Sequence, residues 1–175
     1  EGNQQLSRMY PCEQVDLGFV DCAPQRFSNS VELAITPEQA WEVLADAEAW
    51  PRWASVITNV TWTSPEPHGV GTTRMVDMRG GIIGDEEFLA WEPARHMAFR
   101  FNASSTSSLA AFVEDYRIEP TADGCRLTWT LANRLAGPAR WASPISGPLM
   151  NLAFRRFLSN LRRYTDQRFT TAARG

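Results

Sequence analysis

Four polar residues lie on segments in which apolar and polar side chains alternate, and each falls on the apolar side of its segment: Arg74, Glu87, Glu114 and Tyr116. A guanidinium, two carboxyls and a phenol in an apolar surrounding could orient the polar end of a bound molecule, or exchange protons with a phenol or carbonyl group. The alternative is that arginine and glutamate pair with each other at the rim of a cavity, since buried charges are usually paired. In a catalytic interpretation, Tyr116 is the candidate acid, Glu114 the base and Arg74 the orienting cation.

The same alternation predicts which apolar side chains point inward with these groups. A single bulge in segment 72–79 or 85–92 would reverse the assignment there, because each step along a strand changes the face. The predicted ligand-binding positions are the four polar residues and these apolar ones: Val76, Met78, Leu89, Trp91, Phe99, Phe101, Phe112 and Trp129 from strands, and Phe154, Phe157 and Leu161 from the last helix.

Several other chemistries are disfavoured by the composition. All 17 basic residues are arginine, which leaves no lysine for a Schiff base or a phosphate-binding loop. His68 and His96 lie in turn contexts, are expected at the surface, and lack a zinc-binding spacing. Cys12, Cys22 and Cys125 contain no Cys-x-x-Cys pair and are expected to be free thiols, with a Cys12–Cys22 disulfide left open for an oxidising compartment. We therefore expect no metal and no cofactor.

Length and charge limit the class of protein. A chain of 175 residues is most simply one domain. The net charge of −3 argues against nucleic acid as a partner. No apolar run approaches the ~18 residues of a membrane span, and the N-terminus lacks a signal-peptide pattern. We expect a cytoplasmic protein whose partner is a hydrophobic small molecule, and a homodimer is left open.

The elements that would position these residues follow from the pattern along the chain. Residues 26–35 alternate as a half-buried strand, and a capping box with a proline start follows at 36–39. Pro51 ends that helix and begins a second short one, so the tryptophans of this stretch are expected to pack as a wedge. A last helix with a broad apolar stripe ends near Arg168. Between them, six strands separated by turn residues predict an antiparallel meander: 56–63, 72–79, 85–92, 96–103, 111–119 and 125–133.

This arrangement predicts a space inside the molecule. A seven-stranded sheet must cover its apolar face, and the only long cover is one helix of about 20 residues, roughly 30 Å long. One helix about 10 Å wide cannot fill the concavity of a strongly curved sheet. Seven tryptophans and nine phenylalanines could still fill much of that space. Whether the protein can bind a small molecule therefore depends on how much of this space the aromatic rings leave open.

The order of one strand, two short helices, six strands and a long helix resembles the START-like, or helix-grip, superfamily, and more specifically the bacterial SRPBCC polyketide cyclase/dehydrase-like proteins. The stretches that carry the resemblance lie within residues 26–168: "PEQAWEVLADAEAWPRW", "GVGTTRMVDMRGG", "EEFLAWEPARHMAFRF" and "DYRIEPTADGCRLTWTL". The resemblance implies an α+β fold with a hydrophobic cavity under the last helix. Members of the superfamily bind lipids, sterols, polyketides or aromatic compounds, and a few are aromatase/cyclases. No universal catalytic residue is implied.

We accordingly expect an N-terminal extension at 1–25, a START-like ligand-binding domain at 26–168 and a C-terminal tail at 169–175. The leading functional hypothesis is a carrier of a hydrophobic small molecule in the cavity. An aromatase/cyclase acting on a polyketide-like substrate is the alternative from the enzyme class. A protein-interaction module that uses the same groove is the third.

Overall fold

The computed structural model describes residues 7–141 and 143–172. Within them the helices are α1 (Phe19–Cys22), α2 (Pro37–Ala45), α3 (Trp50–Trp53) and α4 (Ser143–Ala172), and a 3-10 helix (Gly137–Trp141) precedes α4. The strands are β1 (Tyr10–Pro11), β2 (Gln25–Leu33), β3 (Ile57–Trp62), β4 (Thr73–Met78), β5 (Ile82–Glu92), β6 (His96–Ser104), β7 (Leu109–Thr121) and β8 (Gly124–Leu135).

A single antiparallel sheet contains all the described strands. Seven of them follow the order β2-β8-β7-β6-β5-β4-β3, so a meander is closed by β2 lying beside β8. The eighth, β1, pairs Tyr10 and Pro11 with Ser104 and Ala103 of β6. The predicted count of seven strands is therefore wrong by one. The physical reason is that β7 pairs with β6 only as far as Arg100, which leaves the end of β6 as an open edge that the N-terminal segment covers.

Two short helices follow β2. The Thr36 hydroxyl accepts a hydrogen bond from the backbone N–H of Gln39 at 3.2 Å, and the Gln39 side chain accepts one from the Thr36 N–H at 3.0 Å, so a capping box fixes the start of α2. Trp50 begins α3 and is buried, with its indole N–H donating to the Leu44 carbonyl at 2.9 Å. Its ring meets that of Tyr116 edge-on at 5.6 Å. The break between α2 and α3 thus places the Trp50 indole against the inner face of the sheet.

The N-terminal segment covers part of the opposite, outer face of the sheet. Phe19 and Val20 of α1 are buried there against Ala111, Val113 and Ala132. This second apolar cluster is separate from the main core. Side chains that point outward from β7 and β8 are therefore covered too, and burial alone does not distinguish the two faces.

The long helix α4 lies over the inner face and contacts β2 and α3. Its 30 residues span about 45 Å at 1.5 Å per residue. Arg168, near its C-terminal end, donates to Glu42 at 2.6 Å and to Asp46 at 3.1 Å, which ties α4 to α2. Three of its side chains are buried in the main core: Phe154, Leu158 and Leu161.

Candidate functional site

A cavity of about 420 Å3 lies between the sheet and α4. This volume is in the range of small-molecule sites, so the abundant aromatic rings do not fill the interior. The walls come from α3, α4 and strands β3 to β8. Ten of the predicted site residues line it: Val76, Met78, Phe99, Phe101, Phe112, Glu114, Tyr116, Trp129, Phe154 and Phe157.

The cavity has a closed inner end and an open mouth. Leu109 at the start of β7 lies near the mouth, and Tyr116, further along the same strand, lies at the inner end, where Trp50 packs against it. The mouth is the end at which lining residues are also exposed to solvent. Val56, Ile82 and Met150 line the cavity and remain 36–38% exposed. A bound molecule would therefore enter between the β4–β5 hairpin, the β6–β7 loop and the start of α4.

Glu114 and Tyr116 form a hydrogen-bonded pair at the inner end. The Tyr116 hydroxyl donates to Glu114 Oε2 at 2.6 Å. The pKa of Glu114 is raised from 4.5 to about 8, chiefly because burial disfavours the charged carboxylate. The Tyr116 hydrogen bond and the Arg74 guanidinium lower this pKa, and the Glu86 carboxylate raises it further. The Glu114 carboxyl is therefore mostly protonated at neutral pH.

Arg74 is enclosed beside this pair and does not line the cavity. It is 1% exposed, and its Nε donates to the Glu86 carboxylate, which does border the cavity. Burial raises the pKa of Glu86, and the charge and hydrogen bond of Arg74 oppose that rise. The Arg74 guanidinium lies 4.7–5.5 Å from the centroids of four rings, which adds cation–π attraction: Trp50, Trp62, Phe88 and Phe99. Arg74 therefore balances the charge of Glu86 from behind the cavity wall.

Besides the indole N–H of Trp53, two polar groups on the cavity wall have no hydrogen-bond partner of normal geometry within the described residues. The Trp129 indole N–H acts on the Glu114 carboxyl closely enough to lower its pKa, but it forms no complete hydrogen bond. The side-chain oxygen of Asn133 is likewise unsatisfied, although Asn133 is buried. Buried polar groups are normally satisfied. Both side chains line the cavity, so a bound molecule could supply the missing partners.

The assignment of Glu87 and Leu89 to the inner face is wrong. Glu87 pairs with Arg100, which also bonds the Val15 carbonyl of the N-terminal segment, and Leu89 packs against the outer-face cluster. The register of β5 against β6 shifts between Asp85 and Glu86 and again between Phe88 and Ala90. The second irregularity leaves Leu89 unpaired between the inward Phe88 and the inward Trp91, so it places Glu86 rather than Glu87 inside, as expected when a bulge changes which residues share a face.

Trp91 and Leu161 point into the main core but do not line the cavity. Trp91 packs edge-on against Trp41 at 5.1 Å and against Phe88 at 5.0 Å, on the far side of the Arg74 cluster. Leu161 is 1% exposed in the core beneath α4. Both are structural side chains at the closed end.

The two histidines differ from each other. His96 is not on the surface as expected: it is 7% exposed, and its Nε2 lies 2.6 Å from the Asp115 carboxylate. His68 is half-buried, with its ring stacked on Trp62 at 3.9 Å. Among the described residues no three His, Cys, Asp or Glu side chains converge in a way that could hold a metal ion. No helix in this part of the chain combines the length and the apolar character needed to cross a bilayer.

The sequence prediction missed five polar residues that line the cavity: Glu86, Ser104, Thr106, Ser108 and Asn133. Glu86 was missed because the β5 irregularity cannot be seen in an alternating pattern. Asn133 is the last residue of the predicted strand 125–133, and the parity of Trp129 and Leu131 places it inside, although it was left out of the predicted site. Ser104 at the end of β6 is fully buried. Its burial depends on its pairing with Tyr10 and Gly84, which the sequence pattern does not predict.

The class of protein follows from this fold, which solved structures share. The START superfamily protein from Mycobacterium smegmatis is 16% identical, with a TM-score of 0.61 over 84% of this chain and 98% of that chain. TTHA0849 from Thermus thermophilus is also 16% identical, with a TM-score of 0.67 over 83% of this chain and 99% of that chain. The chain therefore has the α+β helix-grip fold of the START-like superfamily.

The chain belongs to the family described as polyketide cyclase/dehydrase and lipid transport, whose model matches residues 24–166. The predicted resemblance to SRPBCC polyketide cyclase/dehydrase-like proteins is confirmed. The chain is 66% identical over 164 residues to Uncharacterized protein Rv2574 of Mycobacterium tuberculosis (strain ATCC 25618 / H37Rv), a match that covers 94% of this chain and 98% of that protein. Uncharacterized protein Mb2604 of Mycobacterium bovis (strain ATCC BAA-935 / AF2122/97) matches to the same extent.

Proposed function

We propose that this protein binds a hydrophobic small molecule in the cavity between the sheet and α4, with an uncharged polar group of that molecule at the inner end. The observation that carries the proposal is the cavity itself, about 420 Å3 in volume, with a mostly apolar lining and with Glu86, Glu114 and Tyr116 as polar groups at its closed end. Specific small-molecule sites have this composition, because apolar walls supply binding energy and a few polar groups fix orientation.

The charges at the inner end favour an uncharged ligand group. The positive charge of Arg74 is already matched by Glu86, and Glu114 is mostly protonated near neutral pH because its pKa is about 8. An anionic ligand would have no cation to pair with, and an unpaired charge is costly in an apolar site. At the inner end a protonated carboxyl and an indole N–H can donate hydrogen bonds, and the Glu86 carboxylate, which borders the cavity, can accept one. A hydroxyl or carbonyl group fits this set.

Displacement of a neutral fluorescent probe tests the proposal. N-phenyl-1-naphthylamine should bind the purified protein, and 1-dodecanol should displace it at neutral pH at least tenfold more effectively than dodecanoate. Equal displacement by the two would contradict the uncharged inner end. Absence of any probe binding, together with no co-purifying molecule in native mass spectrometry after incubation with lipid or aromatic extracts, would contradict the proposed function as a whole.

A pair of variants on α4 locates the site. Ala153 lines the cavity, and Ala153→Trp should fill part of it and abolish probe binding. Ser159 lies on the exposed side of the same helix, so Ser159→Trp adds the same ring outside the cavity and should leave binding unchanged. Binding that survives Ala153→Trp would place the probe elsewhere.

An aromatase/cyclase-type enzyme is the second candidate, because a carboxyl with a pKa near neutrality inside a pocket is typical of a catalytic acid or base. In such an enzyme protonated Glu114 would be the acid. Burial raises the pKa of Tyr116 as well, so at neutral pH both groups hold their protons and Glu114 does not act as the base first assigned to it. Turnover of a poly-β-ketone thioester that is lost in Glu114→Gln, while probe binding is kept, would support the enzyme. The interaction-module hypothesis uses the same groove and would be favoured by a solid interior and by a protein that stays empty across broad extracts.

A further inference from the structure

The mouth of the cavity carries an unusual concentration of exposed apolar side chains. Seven large hydrophobic side chains are at least 36% exposed in the described part of the chain, and only Val70 lies elsewhere. Trp141, Leu149 and Leu152 are the most exposed at the mouth, at 75%, 69% and 66%. We call the six together the mouth patch: Val56, Ile82, Trp141, Leu149, Met150 and Leu152. Exposed apolar patches of this kind mark interaction sites.

The elements place five of these six residues at one end of the molecule, and Leu152 lies beside them on the solvent side of α4. Val56 precedes β3, and Ile82 begins β5 after the Gly80–Gly81 turn, whose positive φ angles of 85° and 77° suit glycine. The first residue of β3 pairs with the last residue of β4, so Val56 and the Gly80–Gly81 turn lie at the same end of the sheet. The 3-10 helix that ends in Trp141 follows β8 and packs on α4. The patch is continuous with the mouth, because Val56, Ile82 and Met150 belong to both.

The chain segments around the mouth patch carry charge of one sign, and Glu13, which lies beside them through its backbone bond to Ala110, is paired with Arg134. Five segments border the mouth, namely 52–56, 79–82, 104–109, 135–141 and 147–156, and together they contain no aspartate or glutamate, although the chain has 20 acidic residues and a net charge of −3. The basic residues in these segments are Arg52, Arg79, Arg140, Arg155 and Arg156, and all five are exposed. The Arg140 guanidinium lies 5.0 Å from the Trp141 ring centroid. The surface that meets the mouth must therefore tolerate apolar insertion and carry negative charge.

We propose that the mouth patch docks on the surface of an anionic lipid bilayer. Tryptophan favours the membrane–water interface, exposed leucines can enter the acyl boundary, and arginines next to them are attracted to anionic head groups. A second copy of the chain fits less well, because a two-fold dimer through this patch would bring the two sets of arginines together. Docking in this orientation opens the cavity onto the apolar part of the bilayer. The proposal goes beyond ligand binding and is tested without a ligand.

Vesicle flotation tests the proposal with the full chain. The protein should float with vesicles of equimolar phosphatidylcholine and phosphatidylglycerol, float much less with phosphatidylcholine alone, and detach as salt is raised. Each arginine near an anionic surface contributes roughly fivefold to the partition coefficient. Arg140→Gln with Arg156→Gln should therefore weaken binding about 25-fold, and Leu149→Ser with Leu152→Ser should weaken it on both kinds of vesicle.

A matched control lies at the opposite end of the sheet. Val70→Ser with Arg95→Gln removes one exposed apolar and one exposed basic side chain far from the mouth and should leave flotation unchanged. Circular dichroism and thermal unfolding confirm that each variant is folded. Ala153→Trp, which should block the cavity, should float like the wild type, so that failure of ligand binding and failure of docking are distinguished.

Three outcomes would overturn the proposal. The wild-type protein could stay unbound on anionic vesicles at low salt. The patch variants could float as well as the control, which would place the contact on another surface. Analytical ultracentrifugation could instead find a dimer that Leu149→Ser with Leu152→Ser dissociates, with no vesicle binding, and the patch would then be an interface between two copies of the chain.

Discussion

Replacing Glu114 with glutamine should remove a specific pH dependence from the stability of the protein. The pKa of Glu114 is raised on folding from 4.5 to about 8, so the folded state holds this proton more tightly than the unfolded chain does. The stability associated with it is fully present below about pH 4.5 and is lost as the pH rises through about 8. Glutamine has nearly the same shape, keeps a carbonyl that can accept the Tyr116 hydrogen bond at 2.6 Å, and does not titrate.

The magnitude follows from the two pKa values. The difference between 4.5 and about 8 corresponds to at most about 5 kcal/mol of unfolding free energy. Between about pH 5 and pH 8 the contribution changes by about 1.4 kcal/mol per pH unit at its steepest, or roughly 3–4 kcal/mol in all. This is a large fraction of the ~5–15 kcal/mol typical of a single domain. Raising the pH from 5 to 8 should therefore lower the unfolding free energy of the wild-type protein by roughly 3–4 kcal/mol more than that of Glu114→Gln.

Urea unfolding at several pH values measures this difference directly. Other groups titrate in the same range, but they are common to both proteins and cancel in the comparison. Glu48→Gln alters an exposed carboxyl next to the wedge helices and should keep the wild-type dependence on pH. Parallel curves for the wild type and Glu114→Gln would refute the reasoning, because they would show that Glu114 ionises in the folded cavity much as it does in the unfolded chain.

Three other substitutions test the packing around the site. Arg74→Met should cost about 3–5 kcal/mol in urea unfolding, because it leaves Glu86 buried without its cation, and adding Glu86→Gln should recover part of the loss. Gly84→Ala should cost about 1–3 kcal/mol and weaken probe binding, because the new methyl carbon would lie 2.5 Å from the Phe101 ring, which would be driven into the cavity. Tyr116→Phe should cost about 1–2 kcal/mol by removing the hydroxyl that donates to Glu114 and should shift the pH dependence upward, whereas an unchanged urea midpoint would show that the hydrogen bond adds nothing.

The regular parts of this fold could be predicted from the sequence because they depend on local signals. The capping box at Thr36 and Gln39, the glycine turn at Gly80 and the alternation around Tyr116 each carry their cause within a few residues. The short strand β1 could not be predicted, because its partner is the unpaired end of β6, which only the assembled sheet creates.

The candidate site was predictable to the same degree. Glu114, Tyr116 and Trp129 were placed inward by parity, and the structure puts all three on the cavity wall. Glu86 replaced Glu87 because a register shift is set by pairing between strands rather than by the alternation along one strand. The enclosure of Arg74 depends on four rings from distant segments, so the sequence offered an arginine–glutamate pair as an alternative but did not identify Glu86 as the partner or place the pair behind the cavity wall.

The cavity is closed at the end that holds Glu86, Glu114 and Tyr116, and it opens at the mouth patch. A ligand must therefore enter with its polar group first, and any part of the ligand that exceeds the cavity stays outside the mouth. The cavity should therefore select ligands by the polar group that reaches its closed end. It should not select them by the length of an apolar chain that extends out of the mouth. A homologous series sharing one head and differing only in chain length should be accepted as a set.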